Sequence, residues 1–106
     1  MSEIILQVGT YEDKQWLFTV VNFQDLTNFT LLSQVRDSAG VFAGSMSALA
    51  VGSNQFTLSI ESAVSGSIIP GTYQTDVLAT STIDGKRYFI TPIMEFIVLD
   101  RVTEPI

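Results

Sequence analysis

Hydrophobic and polar residues alternate along this chain in short segments that are separated by turn-forming residues. The clearest segment is 55–61, where Phe56, Leu58 and Ile60 share one face and polar residues occupy the other. A period of two is typical of β-strands, because successive side chains of a strand point to opposite faces of the sheet. No segment of any length has the helical period, so the pattern predicts an all-β chain.

The chain contains seven such segments, and they predict seven strands in a single domain that comprises residues 1–106. Seven short strands in about 100 residues are typical of an immunoglobulin-like antiparallel β-sandwich. A jelly roll is the alternative, although that architecture usually has eight strands. Small residues dominate segment 41–51, which fits either a bent edge strand or a close packing contact. The predicted strands lie near residues 4–9, 16–21, 31–36, 41–51, 55–61, 73–80 and 88–99.

Turn signals separate the predicted strands. Asp84-Gly85 is typical of a hairpin with a type I′ turn, because both residue types tolerate a positive φ. Asp25-Leu26-Thr27-Asn28 predicts a turn or corner, and Pro70-Gly71 predicts a further turn. Segment 62–69 predicts a connector that has room for one helical turn.

The last predicted strand differs from the others because both of its faces are apolar. Phe89, Ile93 and Ile97 share the face opposite to the one that carries Phe96. An antiparallel strand with one face in solvent has polar residues there, and large exposed apolar patches mark interfaces. The alternative is burial of both faces through a change of sheet at Pro92, whose missing N–H predicts a bulge or an edge position.

We therefore predict an assembly interface in this part of the chain, and we expect it to extend into the C-terminal segment. Segment 100–106 has little to pack against in its own domain. We expect segments 1–3 and 101–106 to lie as arms on a neighbouring molecule, with frayed ends as the alternative. The predicted interface consists of Phe89, Ile93, Ile97, Arg101 and Val102.

The composition favours contacts with other proteins over contacts with nucleic acid or membranes. Charged residues make up 15% of the chain and the net charge is −6, whereas the average charged fraction is about 25%. Because the five basic residues are scattered, the chain lacks the basic patch that phosphate or an anionic bilayer would require. No apolar stretch approaches the roughly 20 residues of a membrane span. The first residues also lack the basic start of a signal peptide, so we expect synthesis in the cytoplasm of the producing cell without export.

The chain contains neither cysteine nor histidine, which removes the commonest groups of active sites and metal sites. A thiolate nucleophile, a cysteine zinc site and a histidine general base are excluded. Carboxylates are the remaining acid–base candidates, and each has a structural interpretation in a turn, on a solvent-facing strand or in the tail. These carboxylates are Asp25, Asp76, Asp84 and Asp100. We predict that the chain is not an enzyme and needs no cofactor.

Two binding functions remain open from the residue types. Glu12-Asp13 is the only adjacent acidic pair and offers oxygen ligands of the kind that calcium prefers; a solvated loop tip is the alternative, and we predict no metal site. Carbohydrate-binding modules use exposed aromatic residues beside polar ones. Tyr11 and Tyr88 are available for this role, whereas Trp16 alternates with core residues. A carbohydrate- or receptor-binding module is therefore the alternative function of another class.

The run from Pro70 to Thr75 is the most informative short motif. In immunoglobulin-like domains a Gly-x-Tyr element opens the sixth strand, the tyrosine hydroxyl bonds back to the preceding corner, and a cysteine follows two residues later. Gly71 and Tyr73 match this element, but Thr75 stands at the cysteine position and Trp16 lies on the second strand instead of the third. The motif therefore indicates a domain outside the antibody type. A simple turn, with Tyr73 as an ordinary core residue, is the alternative.

Several short pieces, taken in order and with their spacing, carry a resemblance that covers most of the chain. They are Trp16-Leu17-Phe18-Thr19-Val20, Asp25-Leu26-Thr27-Asn28, Gln34-Val35-Arg36-Asp37 before Gly40, Pro70-Gly71-Thr72-Tyr73 with Asp76-Val77, Asp84-Gly85, Phe96-Ile97-Val98 and Arg101-Val102-Thr103. The chain thereby resembles a family of phage structural modules and is similar to the N-terminal domain of baseplate upper proteins. The resemblance implies a virion protein without catalytic residues. Its implied partners are other virion proteins, either major capsid or tail proteins, and further copies of itself.

The chain departs from this family in one respect. The modules usually form the front of a longer chain, whereas this sequence ends shortly after Val102-Thr103. The departure favours a separate accessory protein, and we expect a capsid decoration or cement protein. An accessory protein of the neck, tail or baseplate is the alternative within this class.

Overall fold

The computed structural model describes residues 4–102 and shows an all-β protein, with 55% strand and 7% helix. Eight strands form one mixed sheet that is nearly closed into a barrel. The all-β class is confirmed, whereas the expected β-sandwich is not. The strands are β1 (Ile5–Gly9), β2 (Lys14–Thr19), β3 (Phe29–Arg36), β4 (Phe42–Ala50), β5 (Gln55–Ile60), β6 (Gly71–Ser81), β7 (Arg87–Phe89) and β8 (Met94–Leu99). A 3₁₀ turn at Leu26–Asn28 and the helix α1 at Ser62–Ser65 complete the described elements.

The strand order is β1-β8-β6-β3-β4-β5-β2, and β7 pairs with β6 beside β8. All pairings are antiparallel except that of β1 with β8, which is parallel. Strand β4 joins the two parts of the sheet, because residues 42–46 pair with β3 and residues 47–50 pair with β5. The β1 and β2 strands are consecutive in the chain and form the two ends of this order.

The course of β4 fits both interpretations of segment 41–51. Each half of the strand has one described partner strand, β3 for residues 42–46 and β5 for residues 47–50, and the strand bends between them. Its small residues also permit close packing: a Cβ atom at Gly44 would lie 3.2 Å from side-chain atoms of both Val64 and Ile68. The register with β3 shifts beside Ala43, which bends the strand towards its second partner.

The core lies between the inner faces of the curled sheet and follows the alternation of the sequence. Phe56, Leu58 and Phe96 are fully buried, and each such side chain contributes about 1.5–3 kcal/mol relative to exposure. Trp16 is partly buried and meets the ring of Phe96 edge-on at 6.1 Å, while Phe18 stacks on Phe56 at 5.0 Å. These contacts connect β2 and β5 with β8, so both parts of the sheet pack on the same core.

A buried polar pair joins β3 to β6 within this core. The Thr75 hydroxyl donates to the carbonyl oxygen of Gln34 at 2.9 Å, so the Ser33 hydroxyl, also at 2.9 Å, donates to Thr75. Every buried side-chain nitrogen or oxygen of residues 4–102 has a hydrogen-bond partner. Thr75, which stands where the sixth strand of an antibody domain has a cysteine, thus makes a hydrogen-bonded link instead.

The predicted corner before β6 is present. The Tyr73 hydroxyl donates to the carbonyl oxygen of Ile69 at 2.5 Å, which is the backward hydrogen bond expected from the Gly-x-Tyr element. The connector before it contains α1, and Ile68 is buried while Ile69 is exposed. The expected hydrogen bond is therefore confirmed, and the expected single helical turn is confirmed with it.

Two of the predicted turns form, and one differs in its geometry. Asp25 caps the 3₁₀ turn, where its carboxylate accepts from the backbone N–H and the hydroxyl of Thr27 at 3.0 and 2.7 Å. A hairpin joins β6 to β7 at Asp84-Gly85, but only Gly85 has a positive φ, of 75°. A type I′ turn needs a positive φ at both central residues, so that detail of the prediction is wrong. A longer loop closes the hairpin instead.

The last predicted strand, 88–99, is two strands. Both β7 and β8 pair with β6, so the chain does not change sheets at Pro92. Pro92 lies between β7 and β8, and β7 pairs with β6 alone among the described strands, so the segment that leads into Pro92 has an edge position. The predicted interruption at Pro92 is confirmed, and it produces the pocket described below.

Candidate functional site

The predicted interface residues of the last segment are all at least partly exposed, and they are spread along the outer side of the sheet. Phe89 and Ile93 are 67% and 68% exposed, whereas Ile97 is half-buried. Phe89 lies opposite Leu78 and Ile97 lies opposite Thr72. They are therefore six residue steps apart along β6, which corresponds to about 20 Å along a strand.

The other two predicted interface residues differ from each other. Val102 is fully exposed. Arg101 contacts its own domain, because its N–H donates to the Thr10 hydroxyl at 3.3 Å and its side chain covers Gly9. The expectation that this segment has little to pack against is therefore wrong for Arg101. Of the arms predicted at 1–3 and 101–106, residues 1–3 and 103–106 lie outside the described residues.

A second outward surface, which the sequence analysis did not identify, lies on β2, β5 and the second half of β4. Leu17 and Leu49 are 62% and 64% exposed, and each lies directly opposite Thr57 in a single row across the three strands. No outward side chain of this surface is charged. We call it the uncharged face; it consists of Gln15, Leu17, Thr19, Ser47, Leu49, Val51, Gln55, Thr57 and Ser59.

Charged residues begin at one end of the uncharged face. Asp13, Lys14 and Glu61 lie beside Gln15 and Ser59 where β2 starts and β5 ends. An apolar and uncharged centre with polar residues around it is typical of protein interfaces.

The sequence contains a signal for the uncharged face. In the second predicted strand Trp16 and Phe18 alternate with Leu17, so both faces carry apolar residues, as in the last strand. The structure places Trp16 and Phe18 against the core and leaves Leu17 in solvent. The criterion that selected Phe89 therefore selects Leu17 as well.

The opposite outer surface, on β3, β6, β7 and β8, carries charges of both signs. We call it the charged face; its charged side chains are Arg36, Asp76, Arg87 and Glu95. It also carries an apolar row, since Leu78 lies between Leu32 and Phe89 in register. The predicted interface residues Phe89, Ile93 and Ile97 belong to this face.

The interruption at Pro92 opens a gap in the charged face. Two residues of β6 lie between Thr75 and Leu78, whereas four residues lie between their partners Met94 and Phe89. The partner chain thus carries two extra residues and bulges away from β6. Both backbone groups of Val77 still bond to the segment before Pro92, because its N–H donates to the Thr91 hydroxyl and its carbonyl oxygen accepts from the Ile90 N–H, both at 3.0 Å.

A pocket lies beside this gap, between the kinked segment 90–93, β6, β3 and the turn after β3. Its polar groups are mostly engaged: Arg36 donates to Gly40 O at 2.9 Å and to the Gln34 amide oxygen at 2.8 Å. The Asp37 carboxylate accepts from two backbone N–H groups of its own turn. The lining includes Gln34, Arg36, Asp37, Gln74, Asp76 and Ile93.

Asp76 differs from the other carboxylates of the chain in its environment. Burial raises the pKa of Asp76, and no hydrogen bond or neighbouring cation within residues 4–102 offsets this shift. By contrast, hydrogen bonds from Thr27 lower the pKa of Asp25, and those from Lys86 and Ser81 lower the pKa of Asp84. Asp76 therefore holds a partly desolvated charge without a partner.

The other carboxylates and aromatic residues considered for binding are engaged in the fold. Glu12 accepts from Gly9 N at 2.7 Å, and Asp13 accepts from Ser62 N at the start of α1. The ring of Tyr11 lies against Gly66, and Tyr88 packs edge-on against Phe23 and Phe29. Within residues 4–102 no three acidic side chains come together as metal ligands would.

Comparison with known proteins provides no family for this chain. No protein-family model matches the sequence, and no curated protein matches it. In the described part of the chain, no helix has the length and apolar character that crossing a membrane requires.

Proposed function

We propose that the protein is an accessory structural component of a phage particle, a capsid decoration protein that acts through contacts with other proteins. The uncharged face carries this proposal. It presents two leucines that are more than half exposed on a surface without any charged side chain, and exposed apolar surface of this kind favours association. The phage context comes from the resemblance of the sequence to phage structural modules.

The energetics of the uncharged face support association with a protein surface. A contact there removes Leu17 and Leu49 from water, at about 25 cal/mol for each Å² of apolar area. It desolvates no charge, and the surrounding Ser, Thr and Gln side chains can form hydrogen bonds with a partner. The net charge of −6 resides elsewhere, so copies that meet at this face keep most of their like charges apart.

We also propose that the strand arrangement is immunoglobulin-like. In that fold the second, fifth and fourth strands are neighbours in one sheet, and the third, sixth and last strands form the other. The pairings β2-β5-β4 and β3-β6-β8 have this order. The parallel β1–β8 pair argues against a jelly roll, whose strands are antiparallel. An experimental structure with two facing layers about 10 Å apart would support the sandwich, and a continuous closed sheet would contradict it.

The role in a particle is tested on purified virions of the phage or prophage that encodes the chain. Quantitative mass spectrometry of density-banded particles should detect the protein in a fixed ratio to the major capsid protein. Full-length tails and tail-less heads, analysed separately, distinguish decoration of the head from a place on the neck, tail or baseplate. Absence of the protein from particles would refute the proposed function.

The role of the uncharged face is tested by the mass of the protein in solution, measured by light scattering over a range of concentrations. We expect a closed oligomer that the double substitution Leu17→Lys and Leu49→Lys converts to monomers, because lysine charges cannot be buried without a partner. Ile83→Lys is the control, since Ile83 is also an exposed apolar residue and lies in the β6–β7 hairpin loop, outside the uncharged face. Equal masses for the wild type and both variants would exclude the face as a self-association surface.

A further inference from the structure

The backbone around Pro92 and the hydrogen-bonded turn after β3 shape the pocket beside Asp76. The two extra residues around Pro92 displace the chain from β6, and the hydrogen bonds of Val77 to Ile90 and Thr91 fix the displaced segment. The opposite wall is the end of β3, where Arg36 is held by two hydrogen bonds. The pocket is therefore a fixed feature of the fold.

The charges around the pocket favour a cation. Asp76 and Asp37 line it together with one cation, Arg36, and Glu95 of β8 is in register with the lining residue Gln74. Arg36 is directed towards Gly40 and Gln34, and Asp37 accepts hydrogen bonds from its own turn. The carboxylate of Asp76 is thus the group that remains free to accept a hydrogen bond from a ligand.

We propose that this pocket receives a lysine side chain of a partner protein, with the ammonium group on Asp76 and the aliphatic stem along Ile93. An ammonium is a compact point charge with three donors, which suits a single carboxylate beside amide side chains. A planar guanidinium requires a wider fork of acceptors, and Arg36 already occupies one side. The exposed side chain of Ile93 provides the apolar surface that a lysine stem covers.

A desolvated carboxylate without a partner destabilises a folded protein, so its presence in a fixed pocket indicates a ligand-binding role. The net charge of −6 favours a basic partner surface over the long range as well. The choice of a protein as the source of the ammonium group rests on the proposed function. The expected binding of an ammonium group in the pocket does not depend on the proposed function.

The test uses n-butylammonium chloride as a lysine-like probe with the isotope-labelled full chain at constant ionic strength. Backbone amide shifts are followed by NMR during the titration. We expect saturable shifts at Gln34, Gln74, Asp76 and Ile93, and affinity about tenfold weaker in Asp76→Asn. Asp100→Asn is the matched control, because it removes the same charge from an exposed position outside the pocket and should bind like the wild type.

A second measurement keeps the inference testable if the shifts are small. Methylammonium lacks the stem, so the preference for butylammonium over methylammonium should disappear in Ile93→Ser. The inference would be overturned if tetramethylammonium, which has no N–H group, produced the same shifts. It would also be overturned if the shifts persisted unchanged in Asp76→Asn, because binding would then not require an N–H group that donates to the Asp76 carboxylate.

The outcome separates this inference from the proposed function. Loss of butylammonium binding with an intact oligomer would reject the pocket alone. Saturable binding by a protein that is absent from virions would support the pocket and reject the phage role.

Discussion

The two outer faces of the same sheet differ in how they leave apolar and charged groups exposed. The uncharged face is made of regularly paired strands and places Leu17 and Leu49 in one row with no charge among its side chains. The charged face is interrupted at Pro92 and contains a carboxylate that has no partner in the described residues. Regular strand pairing thus gives a continuous surface that can bury apolar area against a partner, whereas the interrupted pairing gives a pocket suited to a single group.

This difference separates affinity from selectivity. Burial of apolar area is non-directional and favours any complementary surface, while a charge in a pocket accepts only a correctly placed opposite charge. We expect the uncharged face to contribute most of the binding energy and the charged face to restrict the choice of partner. The following predictions test whether the faces can be altered independently.

The largest effect is expected where both faces depend on one residue. Phe96 is fully buried and contacts Trp16 of the opposite part of the sheet, so Phe96→Ala should lower the free energy of unfolding by about 3–5 kcal/mol. Leu17→Thr, at an exposed strand position, should change it by less than about 0.5 kcal/mol. Urea unfolding measures both values, and equal effects would mean that Leu17 is not on an outer face.

A smaller effect is expected from the buried link beneath the charged face. Thr75→Val leaves the Ser33 hydroxyl and the Gln34 carbonyl without their partner, which should lower the free energy of unfolding by about 1–3 kcal/mol. Thr57→Val is the matched control, because Thr57 lies in the uncharged face and its hydroxyl forms no hydrogen bond within residues 4–102. If the two variants have the same free energy of unfolding in urea, the hydrogen bonds of Thr75 do not stabilise the fold beneath the pocket.

The smallest effect concerns the pH dependence of stability. Asp76 has a raised pKa in the folded state, so its charge destabilises the fold at neutral pH, and this cost disappears as the pH falls through the folded-state pKa towards the ordinary value of 3.8. Asp76→Asn should therefore melt at a slightly higher temperature than the wild type at pH 7, and the difference should vanish in acid. The charged groups that face Asp76 or its neighbour Gln74 are Arg36, Asp37 and Glu95.

Asp25 provides a comparison, because its pKa is shifted in the opposite direction to that of Asp76. Its pKa is lowered in the folded state by the hydrogen bonds from Thr27, so its stabilising contribution is present above pH 3.8 and is lost as the pH falls through the lower, folded-state pKa. Asp25→Asn keeps a side chain that caps well but removes this acid sensitivity. Melting curves at several pH values for the two variants should shift in opposite directions relative to the wild type. Shifts in the same direction would contradict the assignment of the unpaired charge to Asp76.

The strands were predictable from the sequence where alternation and turns agree. Phe56, Leu58 and Ile60 face the core as the period of two predicts, and Asp25 forms the expected turn. These features depend on neighbours in the sequence. The division of β4 between two partner strands was not predictable, because small residues such as Gly44 fit an edge strand and a close contact equally well.

The pocket could not be predicted from the sequence. Proline predicts an interruption, but Pro92 does not specify that two residues are inserted or which residue of β6 lies opposite the gap. Alternation placed Asp76 on the outer face correctly, while its missing partner depends on the register of three strands. The exposed Leu17 was within reach of the sequence, since both phases of its strand are apolar.

The parallel pairing of β1 with β8 also determines when the sheet can be completed during translation. Residues 9–98 must be synthesised after Val8 before Val8 can lie beside Val98. At about 5–20 residues per second this takes roughly 4–18 seconds. During that time the nascent chain exposes the alternating apolar residues of β1 to chaperones, whereas a released full-length chain can form the same pair at once. We therefore expect synthesis and refolding from denaturant to follow different routes to the same fold.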